Sequence, residues 1–282
     1  MKKIRSAFWY MFLFSVAAII IFPVVLVIIL PFQGADELKK TIGPVQNFVG
    51  NYVKIDYFPQ YPTLNHFRDL LLYTPEFYKV FWNSIITVAV VLFFQLLVAI
   101  PSAWAFSHFN FRFKNAVFNV YVIFMLVPFQ VTMLSQYLVL NKFNMINTRL
   151  SIIMPAVFST LPVFLIYRGF CSIPEDILDS ARIDGAGELH VLWNIGLPLG
   201  KSGILSCIVI NFLDLWNMVE QPLAFLKDKK LYPLSLYLPI LDMDNAEMLL
   251  AASAVTLVPA AFIFVIGQDY LEQGIISYAL KE

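Results

Sequence analysis

The chain has 282 residues, of which 60% are hydrophobic, 16% aromatic and only 13% charged, and its formal net charge is zero. Soluble domains carry roughly 25% charged residues, so this composition excludes an ordinary soluble domain and indicates a protein embedded in lipid. The neutral net charge gives no reason to expect a nucleic-acid partner.

A basic N-terminus precedes the first apolar run. Lys2, Lys3 and Arg5 are followed by an apolar stretch from Ser6 to about Phe32. The hydrophobic region of a signal peptide has roughly 7–15 residues, whereas a helix that spans a bilayer needs about 20. The stretch therefore predicts a retained first membrane span.

Six apolar stretches predict transmembrane α-helices along the chain. Hydrocarbon contains no water to bond unpaired backbone groups, so each stretch must satisfy those groups within a helix. There is no low-complexity linker and no obvious repeat, so the sequence predicts an all-α membrane protein with six transmembrane helices in a single domain, residues 1–282. The predicted spans are approximately residues 6–32, 80–106, 116–140, 150–170, 204–219 and 248–266.

Six spans place both termini on the same side of the membrane. Arg112 and Lys114, in the loop Asn110–Asn115, have no nearby acidic residue, and neither do the basic residues before the first span. Short basic loops favour the cytoplasm, so these residues predict cytoplasmic termini. Lys142 and Arg149, in the next short loop, argue for the opposite orientation.

A polar segment, residues 171–203, separates the fourth predicted span from the fifth. Ser172 is followed three residues later by Glu175, which is a capping-box pattern for a helix N-terminus, and Pro174 fits the first helical turn. The pattern predicts a short amphipathic helix. Its apolar stripe comprises Ile173, Ile177, Leu178 and Ala181.

Two glycines follow this predicted helix. Gly185 and Gly187 favour a turn with little side-chain bulk, and a second short helix is predicted over Glu188–Ile195, before Pro198. One interpretation is an amphipathic loop at the membrane interface without a partner. The other is a surface on which a soluble protein docks.

The residues of this segment resemble a known family motif. Asp179-Ser180-Ala181, then Asp184-Gly185-Ala186, then Ile195-Gly196-Leu197-Pro198 resemble the EAA loop of binding-protein-dependent ABC importer permeases, with Asp179 in place of Glu and Ser180 in place of the first Ala. The resemblance implies that residues 171–203, hereafter the coupling loop, are cytoplasmic and form the coupling helix that docks on an ATPase subunit. The implied ATPase-coupling residues are Asp179, Ser180, Ala181, Asp184, Gly185, Ala186 and Gly187.

Further motifs are similar to the maltose-type carbohydrate permeases, in particular to the shorter six-span partner of the permease pair. They are Asn83-Ser84, Ala103-Trp104-Ala105-Phe106, Pro128-Phe129-Gln130-Val131-Thr132, Asn147-Thr148, Trp216-Asn217 and Pro222-Leu223. The family's tail ends Gly-x-Val-Lys-Gly, whereas this chain ends Ser277-Tyr278-Ala279-Leu280-Lys281-Glu282.

The resemblance implies a set of partners in a bacterial or archaeal cytoplasmic membrane. They are a second homologous permease subunit, two cytoplasmic ATPase subunits that bind ATP and Mg²⁺, and an extracytoplasmic solute-binding protein near the loops Gln33–Lys79 and Pro222–Glu247. Alternating access driven by the ATPases would move a carbohydrate inward. The alternative is a permease of the same superfamily for a peptide, an amino acid or an osmolyte.

The residues give no sign of chemistry on this chain. No GxxxxGK[ST] motif is present to cradle phosphates, Cys171 and Cys207 stand alone, and His66, His108 and His190 lack metal-ligand spacing. The sequence therefore predicts no catalytic residue, cofactor or metal, and a transporter subunit rather than an enzyme. An acidic run before the last span lacks the glycine of a calcium-binding loop and is interpreted as a solvated face; it comprises Asp242, Asp244 and Glu247.

Polar side chains inside the predicted spans are candidates for the substrate pathway, because burying them in lipid is costly. Planar polar groups and aromatic faces also suit a sugar. Hydrogen bonding between helices is the alternative role. The candidates are Gln130, Gln136, Asn211, Asp214, Trp216 and Asn217.

Overall fold

The computed structural model describes residues 2–46, 58–238 and 246–279, and this part of the chain contains helices and no strand. Asp242, Asp244 and the last three residues of the tail, which the sequence analysis singled out, lie outside the described residues. The α-helices are α1 Lys2–Ile29, α2 Ala35–Gln46, α3 Asn65–Tyr73, α4 Pro75–His108, α5 Lys114–Met125, α6 Phe129–Lys142, α7 Leu150–Val157, α8 Leu161–Cys171, α9 Glu175–Ile183, α10 Glu188–Val191, α11 Leu197–Leu199, α12 Lys201–Trp216, α13 Glu220–Phe225, α14 Leu234–Tyr237 and α15 Ala246–Ala279.

Within the described residues, four stretches of helix are long and apolar enough to cross a membrane, or six if each of two bent helix pairs is one span. The bent pairs are α5 with α6, which meet at 101°, and Glu188–Leu199 with α12, which meet at 70°. The all-α membrane fold is confirmed, whereas the count of six and the boundaries of a single domain stay predictions. The four stretches are Phe8–Phe32, Pro75–His108, Leu150–Cys171 and Ala246–Leu271.

The predicted third span, residues 116–140, is divided by a proline. Pro128 has extended dihedral angles (φ −61°, ψ 147°) and is the N-cap of α6. Proline lacks an N–H and disfavours the helical conformation in the residue before it, so α5 ends and α6 starts in a new direction. The sharp bend thus follows from one residue of the apolar run.

The chain divides into two compact units, Met1–Lys79 with Tyr237–Val258, and Val80–Leu236 with Pro259–Glu282. In the first unit, α1 exposes apolar side chains from Phe8 onward, as a helix in contact with lipid does. The end of this helical stretch is fastened to α3. The Thr63 N–H donates to the Phe32 carbonyl at 2.8 Å, and His66 Nε2 lies 3.0 Å from the Gln33 carbonyl oxygen.

The core of the second unit lies where α4, α8 and α12 meet the coupling loop. Its fully buried members include Ile166 and Phe170 of α8, Leu178 of α9 and Cys207 of α12. The coupling loop therefore packs against the transmembrane helices along one side. This contact fixes its position relative to them.

Glycines bring α8 and α12 into close contact. A Cβ atom added to Gly203 would lie 2.8 Å from the Cα of Gly169, and one added to Gly169 would lie 2.9 Å from the Cα of Gly203. Small residues let two helix backbones approach in this way where lipid supplies no hydrophobic drive for association. One turn earlier, Gly200 leaves room for the Phe170 ring, which would lie 2.6 Å from an added Cβ.

We expect Gly203→Ala to lower the free energy of unfolding by about 1–3 kcal/mol. The added methyl group would meet backbone atoms, which cannot move aside as the end of a flexible side chain can. Thermal unfolding of the purified protein in detergent measures this loss. Gly34→Ala is the matched control, since an added Cβ there meets nothing within 4 Å. Equal melting temperatures for the two variants would contradict the close crossing.

Candidate functional site

The coupling loop begins differently from the predicted capping box. Pro174, with extended dihedral angles, is the N-cap of α9 and makes no side-chain cap bond, and Ser172 Oγ instead donates to the Gly169 carbonyl at 2.7 Å. The capping-box prediction was wrong because Ser172 is the C-cap of α8, so its hydroxyl bonds back to the preceding helix. Glu175 and Asp176 still lie in the first turn of α9, where the helix dipole favours negative charge.

A Schellman motif ends α9. The Ala186 N–H donates to the Ala181 carbonyl and the Gly185 N–H to the Arg182 carbonyl, each at 3.0 Å, and Gly185 has φ of +83°. In this motif the residue after the cap adopts the left-handed conformation, which glycine reaches without strain. The half-buried Ala181 and Ala186 pack against the core and complete the turn.

Arg182 ties the two sides of the turn together. Its Nη1 donates to Asp179 Oδ1 and its Nε to Glu188 Oε1, both at 2.9 Å. The hydrogen bonds that Arg182 donates to Glu188 and to Asp179 raise its pKa above its usual value, so the guanidinium stays charged. Sequence reasoning missed this residue, although the spacing of Asp179 and Arg182 on a helix was a signal for an ion pair.

The second helix of the coupling loop starts at Glu188, as predicted. It is α-helical to Val191, passes through a π-turn over Leu192–Gly196 and continues as α11. A Cβ on Gly196 would lie 2.6 Å from the Trp104 ring, so this glycine lets α4 pack directly on the turn. Single π-turns within helices are frequent at functional sites.

The two faces of the coupling loop differ in exposure. Leu178 is fully buried and Val191 is too, whereas Ile177, which the predicted apolar stripe included, is 43% exposed. The predicted coupling residues Asp179, Ser180, Asp184, Gly185 and Gly187 are exposed, and Ala181 and Ala186 are half-buried. Three large apolar side chains stand out beside them at 85%, 73% and 64% exposure; they are Ile183, Leu189 and Trp193.

A cavity of about 820 Å³ lies in the same unit and is lined by residues of α4, α5, α6, α7, α8, α12 and α13. Four of the six predicted pathway residues line it: Gln136, Asn211, Asp214 and Asn217. At 1.5 Å per residue, roughly 20 Å of α12 separates Lys201, at the coupling loop, from Asp214. One helix therefore carries residues of both sites.

The other two candidates are placed differently. Gln130 does not line the cavity itself, but its Nε2 donates at 2.7 Å to the carboxylate of Glu220, which does. Trp216 is buried, and its ring stacks on Phe212 with ring centroids 5.6 Å apart. Contact of any of the six with a solute stays a prediction.

Several other polar cavity residues were not predicted as pathway residues; they include Gln95, Ser159, Glu220 and Gln221. Ser159 lies in the break between α7 and α8. Glu220 and Gln221 lie in α13, outside the predicted spans, where polar residues are expected to face water, so their polarity gave no signal. Only the fold brings them to the cavity wall.

Asn147 fastens the segment after α13. Its Oδ1 accepts the N–H groups of Lys227 and Asp228, each at 2.8 Å, and its own N–H donates to the Phe225 carbonyl at 2.9 Å. Its φ of +60° is one that asparagine tolerates better than most residues. Asn147 thus holds α13, and with it the cavity residues Glu220 and Gln221.

Asn83 and Ser84 fasten the next stretch. Asn83 Nδ2 donates to the Lys230 carbonyl at 2.6 Å, and Ser84 Oγ accepts the Leu234 N–H at 2.7 Å. Both residues are buried. They therefore tie the segment between α13 and α14 to α4.

Comparison with known proteins places this geometry in context. Residues 95–277 match the family model described as binding-protein-dependent transport system inner membrane component. The chain is 26% identical over 269 residues to an arabinooligosaccharides transport system permease protein of Halalkalibacterium halodurans, covering 94% of this chain and 93% of that protein. It is 29% identical over 198 residues to a diacetylchitobiose uptake system permease protein of Streptomyces coelicolor, covering 67% and 65% of the two chains.

A solved structure shares the fold. A chain of a bacterial ABC transporter involved in the import of the acidic polysaccharide alginate superposes with a TM-score of 0.81 over 95% of this chain and 96% of that chain, at 17% identity. At this level of identity the likeness concerns the fold alone.

We expect Asn147→Ala to destabilise the protein by about 2 kcal/mol, because two backbone N–H groups lose their acceptor and alanine is strained at positive φ. Asn147→Gly relieves the strain but not the lost bonds, and Asn147→Asp keeps the acceptors. Thermal unfolding in detergent should rank the variants Asp, Gly, Ala in decreasing stability. Three equal melting temperatures would show that Asn147 does not hold the segment.

Proposed function

Because the chain belongs to the family of binding-protein-dependent transport system inner membrane components, we propose that it is the permease subunit of an ABC importer that moves a carbohydrate into the cell. It is a transporter subunit rather than an enzyme. The two relatives named above are described as permeases of an arabinooligosaccharide system and of a diacetylchitobiose system. These descriptions support a carbohydrate as the solute.

The geometry of the coupling loop is the observation that carries this proposal. A Schellman turn and the Arg182 ion pairs make the loop stiff, and its inner face is fixed in the core by residues such as Leu178 and Val191. Its outer face presents Ile183 and Leu189 to solvent, and exposed apolar clusters mark interaction sites. A stiff loop with an apolar outer face is suited to receive force from a docked protein.

Separate subunits would supply that force. Two ATPase subunits bind ATP and Mg²⁺ and dock on the coupling loops of this chain and of a second, homologous permease. The coupling loop and both termini then face the cytoplasm, and the membrane is the cytoplasmic membrane of a bacterium or an archaeon. A solute-binding protein delivers the sugar on the opposite side, near the loops Gln33–Lys79 and Pro222–Glu247.

Alternating access would use the connection that α12 makes between the coupling loop and the cavity. Closure of the ATPases moves the coupling loops, and the packed helices respond as fairly rigid bodies because close-packed cores do not deform continuously. α12 leads from the coupling loop to Asp214 at the cavity. Motion of the loop would therefore open and close the cavity to the two sides of the membrane in turn.

We expect Gly185→Val to abolish ATP-driven uptake while membrane insertion persists, because a β-branched residue is strongly disfavoured at φ of +83° and would distort the docking turn. Uptake of labelled sugar by cells, with the amount of protein in the membrane measured in parallel, gives the result. Gly187→Ala is the matched control, since Gly187 has an ordinary φ of −71° and an added Cβ meets nothing within 4 Å.

Gly185→Asn separates conformation from the mere presence of a side chain. Asparagine tolerates the left-handed region, so this variant should keep most of the uptake. Normal uptake by Gly185→Val at normal protein levels would sink the docking role of the turn.

Leu189→Glu should release the ATPase from the permease, because a charge replaces apolar surface that docking would bury. Leu189→Met, which keeps the apolar area, should retain the ATPase. Co-purification of the ATPase with each variant from native membranes gives the comparison. Equal recovery of ATPase with the two variants would place the docking contact elsewhere.

A further inference from the structure

The lining of the cavity is rich in hydrogen-bond acceptors that have no partner. The side-chain Oε1 atoms of Gln95, Gln136 and Gln221 are buried and unpaired, and Gln95 as a whole is only 2% exposed. All three residues line the cavity. Buried polar atoms without partners are rare in folded proteins and call for an explanation, such as a ligand or an ion.

Several amide donors of the same region are already used. Gln95 Nε2 donates to the Ala156 carbonyl at 3.0 Å, and Asn211 Nδ2 to the Cys207 carbonyl at 2.8 Å. Asn217 Nδ2 donates to the Leu213 carbonyl at 2.9 Å. A main-chain carbonyl only accepts hydrogen bonds, so each of these amides must turn its nitrogen toward that carbonyl.

Side-chain partners fix two further amides. Gln136 Nε2 donates at 3.1 Å to Thr132 Oγ1, whose own hydrogen goes to the Phe129 carbonyl. Gln130 Nε2 donates to both carboxylate oxygens of Glu220 at 2.7 Å. At these positions a ligand would therefore meet amide oxygens that accept more often than N–H groups that donate.

The charges of the lining are of one sign. Asp214 and Glu220 line the cavity and are exposed in it, whereas no Lys, Arg or His is among the described residues that line it. Ionised carboxyl groups accept hydrogen bonds and repel anions, and the repulsion is strong where water is scarce. Carboxylate or phosphate groups on a solute would find no cation here.

Aromatic rings complete the lining. Phe124 and Phe158 line the cavity, and each is 62% exposed. The face of an aromatic ring is the negative part of its quadrupole, so it suits the C–H face of a sugar ring and disfavours an anion.

We infer that this cavity selects a polyhydroxylated solute without negative charge, such as a neutral oligosaccharide, and rejects uronic acids and phosphorylated sugars. Sugar hydroxyl groups donate to the free oxygens of Gln95, Gln136 and Gln221 and to the carboxylates of Asp214 and Glu220. This inference rests on the proposed function as a carbohydrate permease. It separates this chain from the alginate importer of the same fold, whose cargo is an acidic polysaccharide.

The test uses the complete importer, with its second permease, ATPases and binding protein, in liposomes. The probes are neutral oligosaccharides (arabinotriose, xylotriose, maltotriose, cellotriose and diacetylchitobiose) and the acidic trimers trigalacturonate and trimannuronate. We expect ATP-driven uptake of at least one neutral probe, and uptake of both acidic trimers at least about tenfold lower, which corresponds to one unfavourable charge contact. Uptake of an acidic trimer at the neutral rate or above it overturns the inference but leaves the proposed function intact, whereas no ATP-driven uptake of any saccharide overturns both.

A double variant assigns the selectivity to this cavity. In Asp214→Asn with Glu220→Gln, the ratio of neutral to acidic uptake should fall by about tenfold or more, because both negative charges are removed while polarity is kept. Asp269→Asn removes a carboxylate that does not line the cavity, and its ratio should equal that of the unaltered protein. A double variant with an unchanged ratio would show that Asp214 and Glu220 do not select the solute, which overturns the inference.

Discussion

The close approach of α8 and α12 is the contact on which the rest of the second unit depends. Gly169 and Gly203 bring the two backbones together, and Gly200 and Gly196 make room for the rings of Phe170 and Trp104. In lipid, helices associate through such packing, because apolar burial alone gives no advantage over contact with lipid tails. The four glycines therefore act as the structural centre that joins transmembrane helices to the coupling loop.

This centre determines how movement passes through the molecule. Arg182 joins the two sides of the coupling loop and Leu178 seats it in the core, so in the proposed mechanism a push on its outer face would move α12 with it. α12 ends at the cavity, which α13, held by the Asn147 bonds, also lines. In the proposed mechanism, α12 would thus carry movement from the coupling loop to the solute.

The cavity keeps polar atoms away from lipid and yet leaves some of them without a hydrogen-bond partner. Its polar atoms would be costly in contact with lipid, so they lie between helices, and most of their donors are satisfied by neighbouring carbonyls. The acceptors that remain, on Gln95 and Gln136 among others, make the lining rich in hydrogen-bond acceptors, and the described lining residues include no cation. The solute we propose, rich in hydroxyl groups, would satisfy these oxygens and could leave again, since each hydrogen bond is individually modest.

The sequence alone determined the membrane class, the helical fold and the two short helices with a turn in residues 171–203, because apolar run length and the spacing of small and charged residues are local properties. It also indicated Gly185, since a left-handed helix end favours glycine whatever the surrounding fold. The sequence did not reveal that Ser172 bonds backward, that Pro128 turns α6 by 101° from α5, or that Glu220 and Gln221 reach the cavity. Those features depend on which helices pack against one another. Contacts between residues that are far apart in the chain are decided only by the tertiary structure.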